Sequence, residues 1–101
     1  MTHLPDAREA LSLGRKMTKE ELSRALRISI ADEYEAIQIY FQIAESIDDE
    51  GMKKVIMHII HEEQKHAGHL LDLLNMIGPS EAKAYEQATK ENKELVGRSG
   101  K

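Results

Sequence analysis

The sequence contains no cysteine among its 101 residues. Disulfide bonds, iron–sulfur clusters, zinc ribbons and thiolate nucleophiles are therefore excluded for this chain. Cysteine usage is also a common indicator of the redox compartment, and here it gives no information on that point.

Long apolar runs are missing as well. The most apolar stretch, residues 55–60, is interrupted by His58 and is far shorter than the roughly 20 residues of a membrane-spanning helix. The N-terminus lacks the basic and apolar segments of a signal peptide. The formal net charge is −4, and no lysine- or arginine-rich stripe offsets it. We therefore expect a cytoplasmic protein that binds neither membranes nor nucleic acids.

Glycine and proline are scarce, and their few positions divide the sequence into helices. Thr18 and Glu21 fit a capping box at the start of a first helix. Residues 48–50 supply capping side chains for a second helix, Gly78-Pro79 ends it, and Ser80 caps a shorter third helix. No segment has the alternation of a strand. The sequence predicts an all-α fold, an antiparallel two-helix hairpin followed by a short C-terminal helix.

This pattern divides the chain into a flexible N-terminal segment (1–17), a helical domain (18–97) and a disordered tail (98–101). A two-helix hairpin cannot enclose a core by itself. The first helix is apolar over most of its circumference. Its main stripe consists of Leu22, Leu26, Ser29, Ala36, Ile37, Tyr40, Ala44 and Ile47. One flank carries Ile28, Ile39 and Ile43, and the other carries Ile30, Tyr34 and Phe41. Such a helix is buried on several sides, so we expect the chain to associate with further copies of itself.

Two glutamates and one histidine interrupt the apolar stripes. Glu33 lies on the stripe of the first helix, and Glu63 and His66 lie one turn apart on that of the second. Counted from the turn, Glu33 and Glu63 stand within ~2 Å of the same height at a rise of about 1.5 Å per residue. Ferritin-like di-iron bundles use this ligand set twice, as four Glu and two His. Because one chain supplies it once, two chains related by a two-fold axis would complete both a four-helix bundle and a site for two irons.

Other readings of these residues remain open. Glu33 could be a structural ion-pair partner, and a Glu-x-x-His spacing also occurs by chance in many helices. Tyr40 follows Glu33 on the same face, either as a phenol beside the metals or as a core tyrosine. Asp32 and Glu35 are either an acidic approach route for cations or surface charge. A further polar set is best explained as a solvated face: His58, His61, Glu62 and His69.

Two segments resemble the encapsulated ferritins, the ferritin-like cargo of encapsulin nanocompartments. They are residues 32–40 (DEYEAIQIY) and residues 61–67 (HEEQKHA), and the likeness extends over residues 18–97. The resemblance implies a ferroxidase that oxidises iron(II) at a di-iron centre between two chains, with dimers assembled into a decameric ring inside an encapsulin shell. It implies that Glu33, Glu63 and His66 are iron ligands, with Glu63 as the bridge.

The same resemblance gives roles to the neighbouring residues. Tyr40 matches a tyrosine beside the centre, and Asp32 and Glu35 match acidic residues on the side where metal arrives. Ile39 departs from family members that have tryptophan there, and residues 94–101 do not resemble a shell-targeting peptide, so the chain is either free-standing or part of a shell fusion. Two alternative functions remain, a rubrerythrin-like peroxidase and a non-catalytic helical assembly or cargo protein.

Overall fold

The computed structural model describes residues 14–99. Within that range it contains three helices and no strand: α1 (Lys19–Glu45), α2 (Glu50–Ile77) and α3 (Pro79–Ser99). The all-α prediction is confirmed, and α1 and α2 contain 27 and 28 residues. None of the helices described is long and apolar enough to cross a membrane.

The start of α1 is fixed by the predicted capping box. The Thr18 hydroxyl accepts the backbone N–H of Glu21 at 3.1 Å, and the Glu21 carboxylate accepts the backbone N–H of Thr18 at 2.9 Å. The Arg15 guanidinium also donates to both oxygens of Glu21, each at 2.8 Å. Both carboxylate oxygens of Glu21 and the Thr18 hydroxyl oxygen therefore have donors. Glu21 is only 6% exposed.

The start of α2 follows the same logic. The Asp49 side chain accepts the backbone N–H of Met52 at 2.8 Å, which satisfies one of the free N–H groups of the first turn. Asp49 is thus the N-cap within the acidic run at residues 48–50, as the sequence predicts. The turn between α1 and α2 is only four residues long, 46–49, so the two helices must lie antiparallel and side by side.

Both boundaries of α3 differ slightly from the prediction. The helix begins at Pro79 rather than after a cap at Ser80, because the fixed φ of proline suits the first helical position. It also continues past Gly97 through Arg98, whose guanidinium pairs with Glu94 one turn earlier. The predicted tail therefore starts too early, and residues 1–13 and 100–101 of the predicted termini lie outside the described range.

The two long helices pack along a seam that repeats every seven residues. Its members are spaced alternately four and three apart, and most are buried or half-buried: Leu26, Ile30, Glu33, Ile37, Tyr40 and Ala44 on α1; Ile56, Ile60, Glu63, Ala67, Leu70 and Leu74 on α2. This spacing is that of antiparallel coiled-coil packing. Ile30, expected on a flank, lies in the seam at 9% exposure, whereas Leu22, expected in the stripe, is 38% exposed.

The core of a single chain is small. Only seven apolar residues of the described range are buried, and all of them lie in the seam. Several large apolar side chains remain exposed on the hairpin, among them Ile39 (48%), Met52 (61%) and Val55 (59%). A chain of this size rarely folds stably on so little buried apolar surface. The expected association with another copy is consistent with this deficit.

The third helix leaves the hairpin at an angle. It packs against the end of α2, and from Lys83 to Arg98 every residue is exposed. The radius of gyration is 18.2 Å, against about 13 Å for a compact domain of this length. The fold is therefore an extended hairpin with a projecting arm.

Candidate metal centre

The seam brings the three predicted ligands together. Glu33 and Glu63 take the two seam positions at mid-height of the hairpin, each between buried apolar residues of its own helix. His66 lies one turn beyond Glu63 on α2, on the edge of the seam. The side chains of Glu33 and Glu63 are each 22% exposed and that of His66 is 52% exposed. The cluster thus opens to one side of the hairpin.

The separations fit ligands of one ion better than direct ion pairs. His66 Nδ1 lies 4.0 Å from Glu33 Oε2 and 3.8 Å from Glu63 Oε1, which is too long for hydrogen bonds. One ligand atom from each of the three residues lies within 4.8 Å of the other two. Divalent first-row ions hold nitrogen and oxygen ligands at about 2.0–2.2 Å. A single ion can therefore span most of this cluster with small side-chain rotations.

A carboxylate oxygen in this cluster lacks a donor. Glu33 Oε2 is buried and accepts no hydrogen bond within the described part of the chain. A buried acceptor without a partner is costly, and no lysine or arginine of residues 14–99 pairs with Glu33 or Glu63. A cation that binds between the two carboxylates would give Glu33 Oε2 a partner and would offset the repulsion between the negative charges of Glu33 and Glu63. The residues present therefore fit a hard or borderline metal ion.

The electrostatics of the pair agree with this geometry. The pKa of Glu33 is raised, first because its carboxyl group can share a proton with the Glu63 carboxyl group. Partial burial and the negative charge of Glu63 raise the pKa further, and the nearby His66 opposes them. Two carboxylates held this close favour either a shared proton or a shared cation.

The remaining predicted site residues lie outside the cluster. Tyr40 is half-buried in the seam of α1, two turns beyond Glu33, and Asp32 and Glu35 are exposed on either side of Glu33. Their roles stay predictions. No other histidine, aspartate or glutamate of the described range joins the three converging side chains, so the sequence patterns and the structure select the same three residues.

The second polar set lies on the outer side of α2. His58, His61 and His69 are exposed, and Glu62 pairs with Lys65 at 3.4 Å. The hydrogen bond from Lys65, with its positive charge, lowers the pKa of Glu62, and His58 and His61 lower it further. Glu62 already has a cationic partner, so the solvated-face interpretation describes this set.

The sequence of this chain is similar to one protein family and to two known relatives. The family model described as EncFtn-like matches residues 7–91 of this chain. A ferritin-like–encapsulin shell fusion protein of Pyrococcus furiosus is 36% identical over 80 residues, which cover 79% of this chain and 23% of that protein. The encapsulin nanocompartment cargo protein EncC of Myxococcus xanthus is 34% identical over 74 residues, covering 73% of this chain and 57% of that protein.

A solved structure is similar over nearly the whole fold. The crystal structure of the encapsulated ferritin domain from Pyrococcus furiosus superimposes with a TM-score of 0.81 at 34% sequence identity. The match covers 85% of this chain and 88% of that domain. By contrast, the chain spans less than two thirds of the length of both curated relatives.

Proposed function

Because the chain belongs to the EncFtn-like family of encapsulin-associated, ferritin-like cargo proteins, we propose that it is a ferroxidase. Its substrate is iron(II), which it oxidises to iron(III) with dioxygen as the acceptor. The reaction takes place at a di-iron site that two chains complete together. The product feeds iron storage inside an encapsulin compartment.

The observation that carries this proposal is the cluster of Glu33, Glu63 and His66. It has the residue types and spacing of half of a di-iron carboxylate site, and it lies at mid-height on an open face. A two-fold axis through that face would set a second copy of the three ligands opposite the first. The same contact would cover exposed apolar residues, including Ile39 and Val55.

Each ligand has a distinct task in this site. We assign Glu63 to bridge two irons and His66 and Glu33 to hold one iron each, and the helices that carry these side chains would keep them in register. Two iron(II) ions held side by side can together supply two electrons to dioxygen. Carboxylates suit this substrate because they change their binding mode as the charge on iron increases. The raised pKa of Glu33 means that protons compete with a cation for this pair, so metal binding should weaken as the pH falls.

Residues around the cluster support the same function. We assign Tyr40 to a position beside the metals, where its phenol can donate a hydrogen bond or an electron. Asp32 and Glu35 are exposed carboxylates on both sides of Glu33 along the chain, and we assign them to attract cations toward the open face.

The proposed oligomer follows from the ligand set, because one chain supplies only half of the ligands that a di-iron site needs. The minimal active unit is a dimer holding two irons, and the family resemblance extends this to a decameric ring enclosed by an encapsulin shell. The relatives include a shell fusion and a nanocompartment cargo protein, which supports an encapsulin partner and a location inside the compartment in the cytoplasm.

Aerobic oxidation of iron(II) by the purified protein tests this function. We expect Glu33→Ala, Glu63→Ala and His66→Ala each to lower the initial rate at least about 100-fold, since even partners beyond the ligands are worth 10–100-fold. Glu45→Ala and His69→Ala, exposed residues of the same helices, serve as matched controls and should leave the rate unchanged.

The dimer requirement is tested in the same assay. The rate per chain should fall when dilution separates the chains, as measured by light scattering. Equal rates in wild type and the three ligand variants would reject the ferroxidase. Faster turnover with peroxide than with dioxygen would favour the rubrerythrin-like peroxidase instead.

A further inference from the structure

The base of α3 is joined to α1 by one ion pair. Arg27 Nη2 on α1 donates to Glu81 Oε1 in the first turn of α3 at 3.1 Å, although the two residues are 54 positions apart. Among residues 14–99 it is the one ion pair that links α3 to another helix. Among the described helices, the backbone of α3 packs only against α2.

Within residues 14–99, apolar packing of α3 against the hairpin is sparse. Beside the ion pair lies a groove of about 370 Å³, lined by Arg27, Ile30, Tyr34, Leu71, Leu74 and Tyr85. Tyr85 is 46% exposed and Tyr34 is 56% exposed, so the two rings do not fill this groove. Among the described residues, little packing therefore fixes the direction of α3 beyond its first turn.

The two partners are unequal. The Arg27 side chain is 53% exposed and keeps access to water, whereas the Glu81 side chain is only 25% exposed. Glu81 Oε2 is buried and accepts no hydrogen bond from the described residues. Arg27 is thus the cationic partner of Glu81 in the described range, and loss of the guanidinium would leave a half-buried carboxylate without one.

We propose that Arg27 and Glu81 form a latch that sets the direction in which α3 leaves the hairpin, with Gly78 as the hinge. Gly78 is the single residue between α2 and α3, and a glycine there gives the corner more backbone freedom than any other residue would. The latch determines where the exposed Leu95 (59%) and Val96 (67%) near the far end of α3 are presented. Arg27 is a positioning residue in this device.

The expected size of the effect follows from the exposure of the pair. A solvent-accessible ion pair changes an equilibrium by at most about five-fold. Arg27→Ala should exceed that effect, because it also leaves Glu81 unpaired. Glu81→Gln should have a smaller effect, because the amide oxygen still accepts a hydrogen bond from Arg27.

Electron–electron distance measurements on spin-labelled protein test the latch. The natural chain has no cysteine, so Gln42→Cys and Lys90→Cys, both exposed, place one label on α1 and one on α3. Dilution with unlabelled chains isolates the distance within one chain, and the measurement is made on the full chain without iron. We expect a distance distribution dominated by one narrow peak in the otherwise wild-type chain, a broad distribution in Arg27→Ala and an intermediate one in Glu81→Gln.

Charge reversal separates the latch from general loss of structure. Arg27→Glu should broaden the distribution, and the double variant Arg27→Glu/Glu81→Arg should narrow it again. Arg24→Glu is the matched control, because Arg24 pairs with Glu20 inside α1 and should leave α3 unaffected. A broad distribution in wild type, an unchanged one in Arg27→Ala, failure of the charge swap, or equal broadening in Arg24→Glu would each overturn the proposal. Because the measurement is made without iron, its outcome is independent of the ferroxidase proposal.

Discussion

Two carboxylates on α1, twelve residues apart, have opposite surroundings. Glu21 at the N-terminus is 6% exposed, and hydrogen bonds from Arg15, supported by the backbone N–H of Thr18, lower its pKa to about 2. Glu33 at mid-helix has one oxygen without a donor and faces the carboxyl of Glu63, which raises its pKa. Within a single chain, both carboxylate oxygens of Glu21 thus have hydrogen-bond donors, whereas one oxygen of Glu33 has none among the described residues.

This difference shows what separates a structural carboxylate from a candidate ligand. Both residues are inward-facing glutamates on the same helix, so burial alone does not distinguish them. What differs is the supply of donors. Glu21 receives three from the same chain, whereas Glu33 meets a second acceptor. The structural ion pair that sequence considerations allow for Glu33 is in fact found at Glu21.

Replacing each glutamate by glutamine should give the largest contrast. Glu33→Gln should lower iron(II) oxidation at least about 100-fold, and it should leave the melting temperature of the metal-free protein unchanged or higher, because it removes a charge repulsion from Glu63. Glu21→Gln should do the reverse, lowering the melting temperature by several degrees through loss of the bidentate Arg15 contact while the folded protein oxidises iron normally.

Paired calorimetry and oxidation assays on the two variants make this check. If Glu33→Gln destabilised the metal-free chain as strongly as Glu21→Gln does, Glu33 would have a structural partner of its own, and the contrast between the two glutamates would be wrong.

Acid unfolding should single out Glu21. Its folded pKa of about 2 lies below its ordinary value of 4.5, so the unfolded chain binds the proton first and the folded state loses stability as pH falls. The stabilisation is fully present above about pH 4.5 and disappears by about pH 2. Circular dichroism melts of the metal-free protein across this range should show a shallower decline in Glu21→Gln. Identical pH profiles in wild type and variant would show that the Arg15–Glu21 contact does not stabilise the folded chain.

A smaller effect is expected at Gly14, the residue before Arg15. Gly14 has φ of +69°, a conformation in which a side chain costs about 1–2 kcal/mol. Because a Cβ there would meet nothing within 4 Å, Gly14→Ala should destabilise the chain through its backbone alone, by about 1 kcal/mol. Urea unfolding measures this. Gly68→Ala is the control, since Gly68 lies inside α2 with equally open surroundings, and there alanine should instead stabilise the helix by a similar amount.

Local signals predicted most of this fold. The capping box at Thr18, the cap at Asp49 and the break at Gly78 depend on side chains within four residues of the backbone groups they satisfy, and such short-range chemistry is readable from sequence. The equal height of Glu33 and Glu63 was predictable too, because a tight turn between two regular helices makes height a matter of counting residues.

Contacts between helices were less accessible. The sequence placed Ile30 on a flank, since a 3.6-residue period does not show that the two helices pack along a 3.5-residue seam. The Arg27–Glu81 pair crosses 54 positions, and no local pattern specifies it. The Arg15–Glu21 contact joins α1 to a residue before the helix begins, and the capping pattern specifies only the Thr18–Glu21 part of this arrangement.

The most direct test of the central claim, that each chain holds half of a di-iron site, is anomalous diffraction from crystals soaked with iron(II). We expect two iron positions between two chains, with Glu33, Glu63 and His66 of both chains as ligands. Iron bound entirely by one chain, or two-fold contacts that leave these residues far from a second copy, would contradict it.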